Sequence, residues 1–201
     1  MDIFIPAMFV AIGAYMLQAK YQRRRIALLA SHLGNYQIEK LMESLSEGYM
    51  RALGEADVER RQQIWNLLTT TETALVDQIR RFADGFSRVD EADARVSKFA
   101  LTLPYADRLF PGTSFDLRKA LSIHAQGVAN AAKNDENKEA KSKAFTLSAE
   151  LFLMQHTCHW FCKSKSVASA RMLVRHKTSY EQLVASVAPD TRKAYCALTA
   201  R

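Results

Sequence analysis

Residues 64–86 read IWNLLTTTETALVDQIRRFADGF, and the fold class turns on this stretch. Ile64, Leu68, Leu75, Ile79, Phe82 and Phe86 recur at steps of three, four or seven residues. That spacing lines them along one stripe of an α-helix, whereas a half-buried strand would alternate at every second residue. Arg60, Arg61, Asp77, Arg80 and Arg81 flank the stripe. The pattern predicts a helix over about 56–89 with a heptad-like interaction seam. Its partner is either the preceding helix, in an antiparallel hairpin, or a second copy of the chain. The preceding segment, 26–53, carries Leu29, Leu33, Tyr36, Ile38, Leu41, Met42, Leu45, Tyr49 and Leu53 at similar steps, and Gly54 closes it.

Composition points the same way. The chain has 201 residues, 48% hydrophobic and 24% charged, enough to bury a core. Only 7 glycines and 4 prolines interrupt it, too few for the many turns of a mostly β chain. The sequence therefore predicts an all-α protein: an N-terminal segment, then a bundle of about six helices over 26–201. A short helix is expected over 91–103, capped by Asp90, and a loop over 104–113 around Pro104, Pro111 and Gly112. Thr113 with Asp116 is a start signal for a helix over 114–132. Helices over 139–163 and 166–187 follow, Pro189 breaks the chain, and 188–201 form a tail. No strand alternation or internal repeat is visible.

The amino terminus reads MDIFIPAMFVAIGAYMLQAKYQRRR, with no charge from 3 to 19. A secretory signal has its positive charge before the apolar run and a small-residue cleavage site after it. Here the basic residues follow the run. The segment reads as an uncleaved membrane anchor whose apolar residues include Ile3, Phe4, Phe9, Val10, Ile12 and Leu17. Lys20, Arg23, Arg24 and Arg25 form a juxtamembrane basic cluster, which puts the remainder of the chain in the cytoplasm under a single inner-membrane span.

Charge is concentrated at the two ends. Residues 1–25 carry net +3, residues 26–162 net −2, and residues 163–201 net +6. In the last region Arg171, Arg175 and Lys177 lie on an otherwise amphipathic helix, a candidate surface for anionic lipid or nucleic acid.

One cluster has the donor types for chemistry. His156, Cys158, His159 and Cys162 fall within seven positions, and imidazoles and thiolates are the usual zinc ligands. One straight helix cannot wrap four of them around a tetrahedral ion, and the competing reading is an apolar core stripe through Ala144, Leu147, Leu151, Met154, Cys158 and Phe161. The three cysteines, Cys158, Cys162 and Cys196, form no disulfide framework and suit a reducing compartment. No phosphate-binding loop, dinucleotide fingerprint, zinc-protease or serine-hydrolase motif is present. The sequence thus predicts a membrane-anchored helical interaction or scaffold protein without a catalytic site. Its expected partners are the membrane and a protein or a second copy. Anionic surfaces, nucleic acid included, are the alternative, and zinc is the one candidate cofactor.

Overall fold

The computed structural model describes residues 4–100 and 111–200. Among these residues the chain is all-α apart from one short ribbon. Nine helices follow in order: α1 Phe4–Leu33, α2 Ile38–Gly54, α3 Val58–Phe86, α4 Glu91–Ala94, α5 Leu117–Lys133, α6 Ala140–Cys162, α7 Lys165–His176, α8 Tyr180–Ser186 and α9 Pro189–Thr199. The ribbon pairs β1 Arg95–Ser97 antiparallel with β2 Ser114–Asp116, with Val96 opposite Phe115.

The periodic stretch is α3. Asp57 caps its start by accepting the Arg60 N–H at 2.8 Å. All six seam residues are buried, and they pack with Ile38, Met42, Leu45 and Tyr49 of α2. At Gly48 of α2 a Cβ would lie 2.3 Å from the Leu68 side chain, so the two helices close up only because glycine stands there. A buried cluster also ties this pair to α6: the Tyr49 hydroxyl donates to Glu72 at 2.6 Å, and Lys143 pairs with the same carboxylate. The seam is thus spent inside the fold. This corrects its reading as an interaction surface: side chains already covered by α2 and α5 have no face left for a second copy.

At the centre stands α6. Its buried residues, among them Leu147, Glu150, Leu153, His156, Trp160 and Phe161, point in several directions. A helix surrounded by others needs apolar residues around its circumference, which is why 144–162 reads as a nearly charge-free run. Helices α1, α2, α5, α7 and α8 all pack on it.

Three predicted elements change. The helix expected over 91–103 stops at Ala94, and the chain runs on as β1, held by Trp160, whose indole donates to the Ser97 carbonyl at 2.8 Å. Three-residue strands are too short to show alternation in a sequence. Asp116, not Thr113, caps α5, accepting the Arg118 N–H at 2.9 Å. The helix expected over 166–187 breaks at Lys177, which adopts a left-handed conformation with φ 53°, and restarts at Ser179 with a capping box to Gln182. Most of the loop expected over 104–113 lies outside the described residues, as does Ile3.

The amino-terminal reading also needs correction. No helix among the described residues is long and apolar enough to cross a membrane. The apolar run and the basic cluster form one continuous helix, and Gln18 and Lys20 end the apolar part early. Within its apolar portion the described residues 5–17, all exposed, extend about 20 Å, against about 30 Å of bilayer hydrocarbon.

Candidate membrane-facing surface and buried polar row

Helix α1 has two unlike halves. Every residue from Ile5 to Leu17 is exposed, whichever side of the helix it occupies. Phe9 is 65% and Val10 71% exposed, and Ile12 and Leu17 are exposed too. Beyond Gln18 the helix joins the body, where Leu29 is buried and Leu28 and Leu33 pack on the core. The apolar half is a shaft with no protein around it among the described residues.

The basic residues at the base of the shaft divide. Lys20 and Arg23 are exposed and form no ion pair among the described residues. Arg24 pairs with Asp93 at 2.9 Å. Arg25 is only 6% exposed, with its guanidinium 4.3 Å from the Phe161 ring centre and 4.9 Å from that of Tyr21. Arg24 and Arg25 therefore fasten α1 to the body, which corrects their reading as membrane-facing charges.

The structure also brings the two basic ends together. Lys163 donates to Gln22 of α1 at 2.7 Å. Arg25, Arg171 and Lys163 all act on the Cys162 thiol. Next to them, α7 buries only Ala168 and Met172. The rest of its surface carries Arg171, Arg175 and the following Lys177, all exposed, together with exposed Val167, Leu173 and Val174. None of the three cations is paired with a carboxylate among the described residues.

The His/Cys cluster does not assemble. Burial pushes the Cys158 thiol up to about 12 and the Cys162 thiol up to about 11, the latter despite its three cationic neighbours. Neutral thiols are poor metal ligands and poor nucleophiles. His156 is fully buried, 3.1 Å through Nε2 from the Ser169 hydroxyl and with its ring 4.8 Å from that of Tyr180. Among the described residues no group of three or more His, Cys, Asp or Glu could hold a metal ion. This corrects the zinc reading: Cys158 neighbours Cys162 and His156 neighbours His159, but no three of the four converge on one point.

Sequence reasoning missed a buried polar row between α5, α6 and α9. His124 of α5 lies 2.9 Å through Nε2 from the Thr157 hydroxyl, which in turn donates to the Leu153 carbonyl at 2.9 Å. The Thr157 and Tyr195 hydroxyls are 3.2 Å apart, and the Tyr195 ring lies 5.3 Å from that of His124. Farther along, Glu150 accepts the Ala188 N–H at 3.0 Å, at the N-cap of α9. Its Oε2 has no hydrogen bond of good geometry, although the Thr191 hydroxyl is close enough to favour the ionised form. Gly127 makes the room: a Cβ there would lie 2.5 Å from Glu150 Oε2 and 2.4 Å from Thr191 Oγ1. Helix α9 buries Thr191 and Tyr195, whose ring also packs with Leu153, Met172 and Leu183, so polar and apolar groups together hold this last helix down. The one legible signal was Glu150, the single charge in 144–162.

Burial dominates the electrostatics of this row. It raises the Glu150 carboxyl to about 7, against the Ala188 and Thr191 hydrogen bonds that favour the anion. A raised acid stabilises the fold below its ordinary value of 4.5, and that stability is lost as pH rises through 7. Glu150→Gln keeps an acceptor for Ala188 and removes the buried charge. At pH 8 the variant is expected to unfold about 1–3 kcal/mol harder than the parent, with the advantage vanishing below pH 4.5. Urea titrations at the two pH values measure this, and an equal difference at both would contradict it.

A groove of about 850 Å³ runs between the end of α1, α2, α6 and α7, and Leu33, Glu39, Glu43, Gln155, Arg175 and His176 line it. Its charges are of both signs, and no nucleophile–base pair faces it. Among the described residues the accessible features are thus the shaft, the basic face and this groove, while His124, Glu150, Thr157 and Tyr195 are buried. Comparison with protein-family models, curated proteins and solved structures gives no match to this chain.

Proposed function

We propose that this chain is a non-catalytic helical interaction protein that works at a membrane, held there by the apolar end of α1. The observation that carries this is the shaft. Thirteen consecutive exposed, uncharged and mostly apolar residues leave a large hydrophobic area in water, which is unfavourable by about 25 cal/mol per Å². A helix that is apolar all round is matched by a medium that surrounds it, such as acyl chains, rather than by a flat docking face. No helix among the described residues is long and apolar enough to cross, so it enters the bilayer from one side. The body remains on one side, and three free thiols suit the cytoplasmic side. The heteropolar groove between α1, α2, α6 and α7 supplies a surface for a protein partner.

Flotation of the full chain with phosphatidylcholine vesicles tests the anchor. The parent is expected to float, and Phe9→Ser combined with Val10→Ser to remain with the unbound fraction. Both positions are exposed and touch nothing in the described body, so the variant folds. A parent that does not float overturns the anchor. Pulldown with the full chain from mild detergent tests the interaction role, and recovery of the chain alone counts against it.

A further inference from the structure

We propose that α7 and the free cations at the base of α1 form one continuous face that binds acidic phospholipid headgroups. This rests on the reading of α1 as the anchor, and it adds which membranes the chain selects and which surface lies on them.

The composition of the outer face of α7 is the first argument. Arg171 and Arg175 are four residues apart and project from one side, and Lys177 follows at the helix end. Beside them stand Val174, 73% exposed, and Val167, one turn before Arg171, while Leu173, 54% exposed, lies farther round the helix. A solvated helix face would be polar throughout. A nucleic-acid face would need the cations but not the exposed leucine and valines. The headgroup–acyl boundary of an anionic membrane takes both, the cations meeting phosphates while the apolar side chains enter below them.

Charge is the second argument. Residues 163–201 carry net +6, and no carboxylate pairs with Arg171, Arg175 or Lys177 among the described residues.

Continuity with the shaft is the third. Lys163, which leads into α7, is bonded to Gln22, and it borders one hollow with Tyr15, Gln18 and Arg23. Lys163 immediately precedes α7, so this helix begins beside the turn of α1 where the shaft leaves the body. Farther on, Arg175 shares the groove with Leu33 and Gly34 at the other end of α1. The helix therefore starts near Gln22 and ends across the groove from the last turn of α1. A chain whose shaft enters a leaflet obliquely sets this flank, with Lys20, Arg23, Arg171, Arg175 and Lys177, on the headgroups.

The test is sedimentation of the full chain with vesicles of phosphatidylcholine alone and of phosphatidylcholine mixed with phosphatidylglycerol. The parent is expected to bind the acidic vesicles at least about tenfold more tightly, a preference that high salt removes. Arg171→Gln, Arg175→Gln and Lys177→Gln together are expected to abolish the preference while leaving binding to neutral vesicles unchanged. All three side chains are exposed, and an unchanged thermal melt shows that the variant is folded. A triple variant that keeps the full preference overturns the proposal. So does a parent without preference, or one in which the three cations affect binding to a DNA or RNA duplex but not to vesicles. Failure of the anchor reads differently: Phe9→Ser with Val10→Ser then leaves neutral binding as it was, while the acidic preference still follows the α7 cations.

Discussion

Replacing Phe86 with alanine is expected to lower the free energy of unfolding by about 3–5 kcal/mol. The side chain is fully buried where α3 meets α6 and α1. Its ring stands edge-on to Phe161 at 6.1 Å, lies 6.1 Å from Phe82 and meets His32 edge-on at 5.2 Å. Three helices contribute those neighbours, so no single side chain can collapse into the cavity. For a chain of this size the loss corresponds to roughly 10 °C in melting temperature. Leu67, on the opposite face of the same helix, is 74% exposed, and Leu67→Ala is expected to stay within about 0.5 kcal/mol. The same measurement separates a core from a dimer seam. A midpoint independent of protein concentration is the expected result, and one that climbs with concentration would return the seam to an interface between copies.

Acidification is expected to have an effect of similar size. Burial holds His124 and His156 at about 3, against an ordinary 6.5. His156 adds further repulsion at His124, and Lys165 and His159 add it at His156. Between those two pH values the unfolded chain binds protons that the folded chain does not. The stability due to the two histidines is therefore complete above pH 6.5 and is lost as pH falls toward 3, at most about 5 kcal/mol for each ring. The Nδ1 atoms of both rings lack a hydrogen-bond partner, so a proton gained there would be a buried donor with no acceptor. Glu150 acts in the opposite sense, gaining about 3 kcal/mol for the fold on passing from above pH 7 to below 4.5. Two histidines outweigh one glutamate, so the denaturation midpoint should peak between about pH 6 and 7 and fall steeply on the acid side. His156→Gln should make that acid limb shallower. A midpoint flat from pH 7 to pH 4 would contradict the assignment.

Much of the bundle could be read locally. The stripe from Ile64 to Phe86 announced α3, Gly54 and Pro189 marked breaks that the fold keeps, and the run 144–162 announced a buried helix. What could not be read was which surface would cover each stripe. The same heptad spacing serves a hairpin and a dimer, because periodicity encodes a buried face but not its partner. The shaft and the seam illustrate the converse: both are apolar, yet one is enclosed and the other bare, a difference set by where α2 and α5 run rather than by hydropathy. Short-range hydrogen bonds misled in a similar way. Thr113 has the right spacing for a cap, but β2 draws residues 114–116 into an extended pairing and moves the cap to Asp116.

By itself, then, the sequence determined the helical class, the central helix, and the separation of an apolar tip and two basic ends from a nearly neutral middle. These follow from composition and from side-chain spacing along one chain, which act over a few residues. Tertiary structure alone decided that Arg25 is buried while Arg23 is free, and that Lys163 and Arg171 gather near the base of the shaft. It also decided that His124, Glu150, Thr157 and Tyr195, spread over three helices, form the row on which α9 rests. Those outcomes depend on the path that brings residues 141 apart within 2.7 Å, and on the loss of water around groups whose charge only burial can shift.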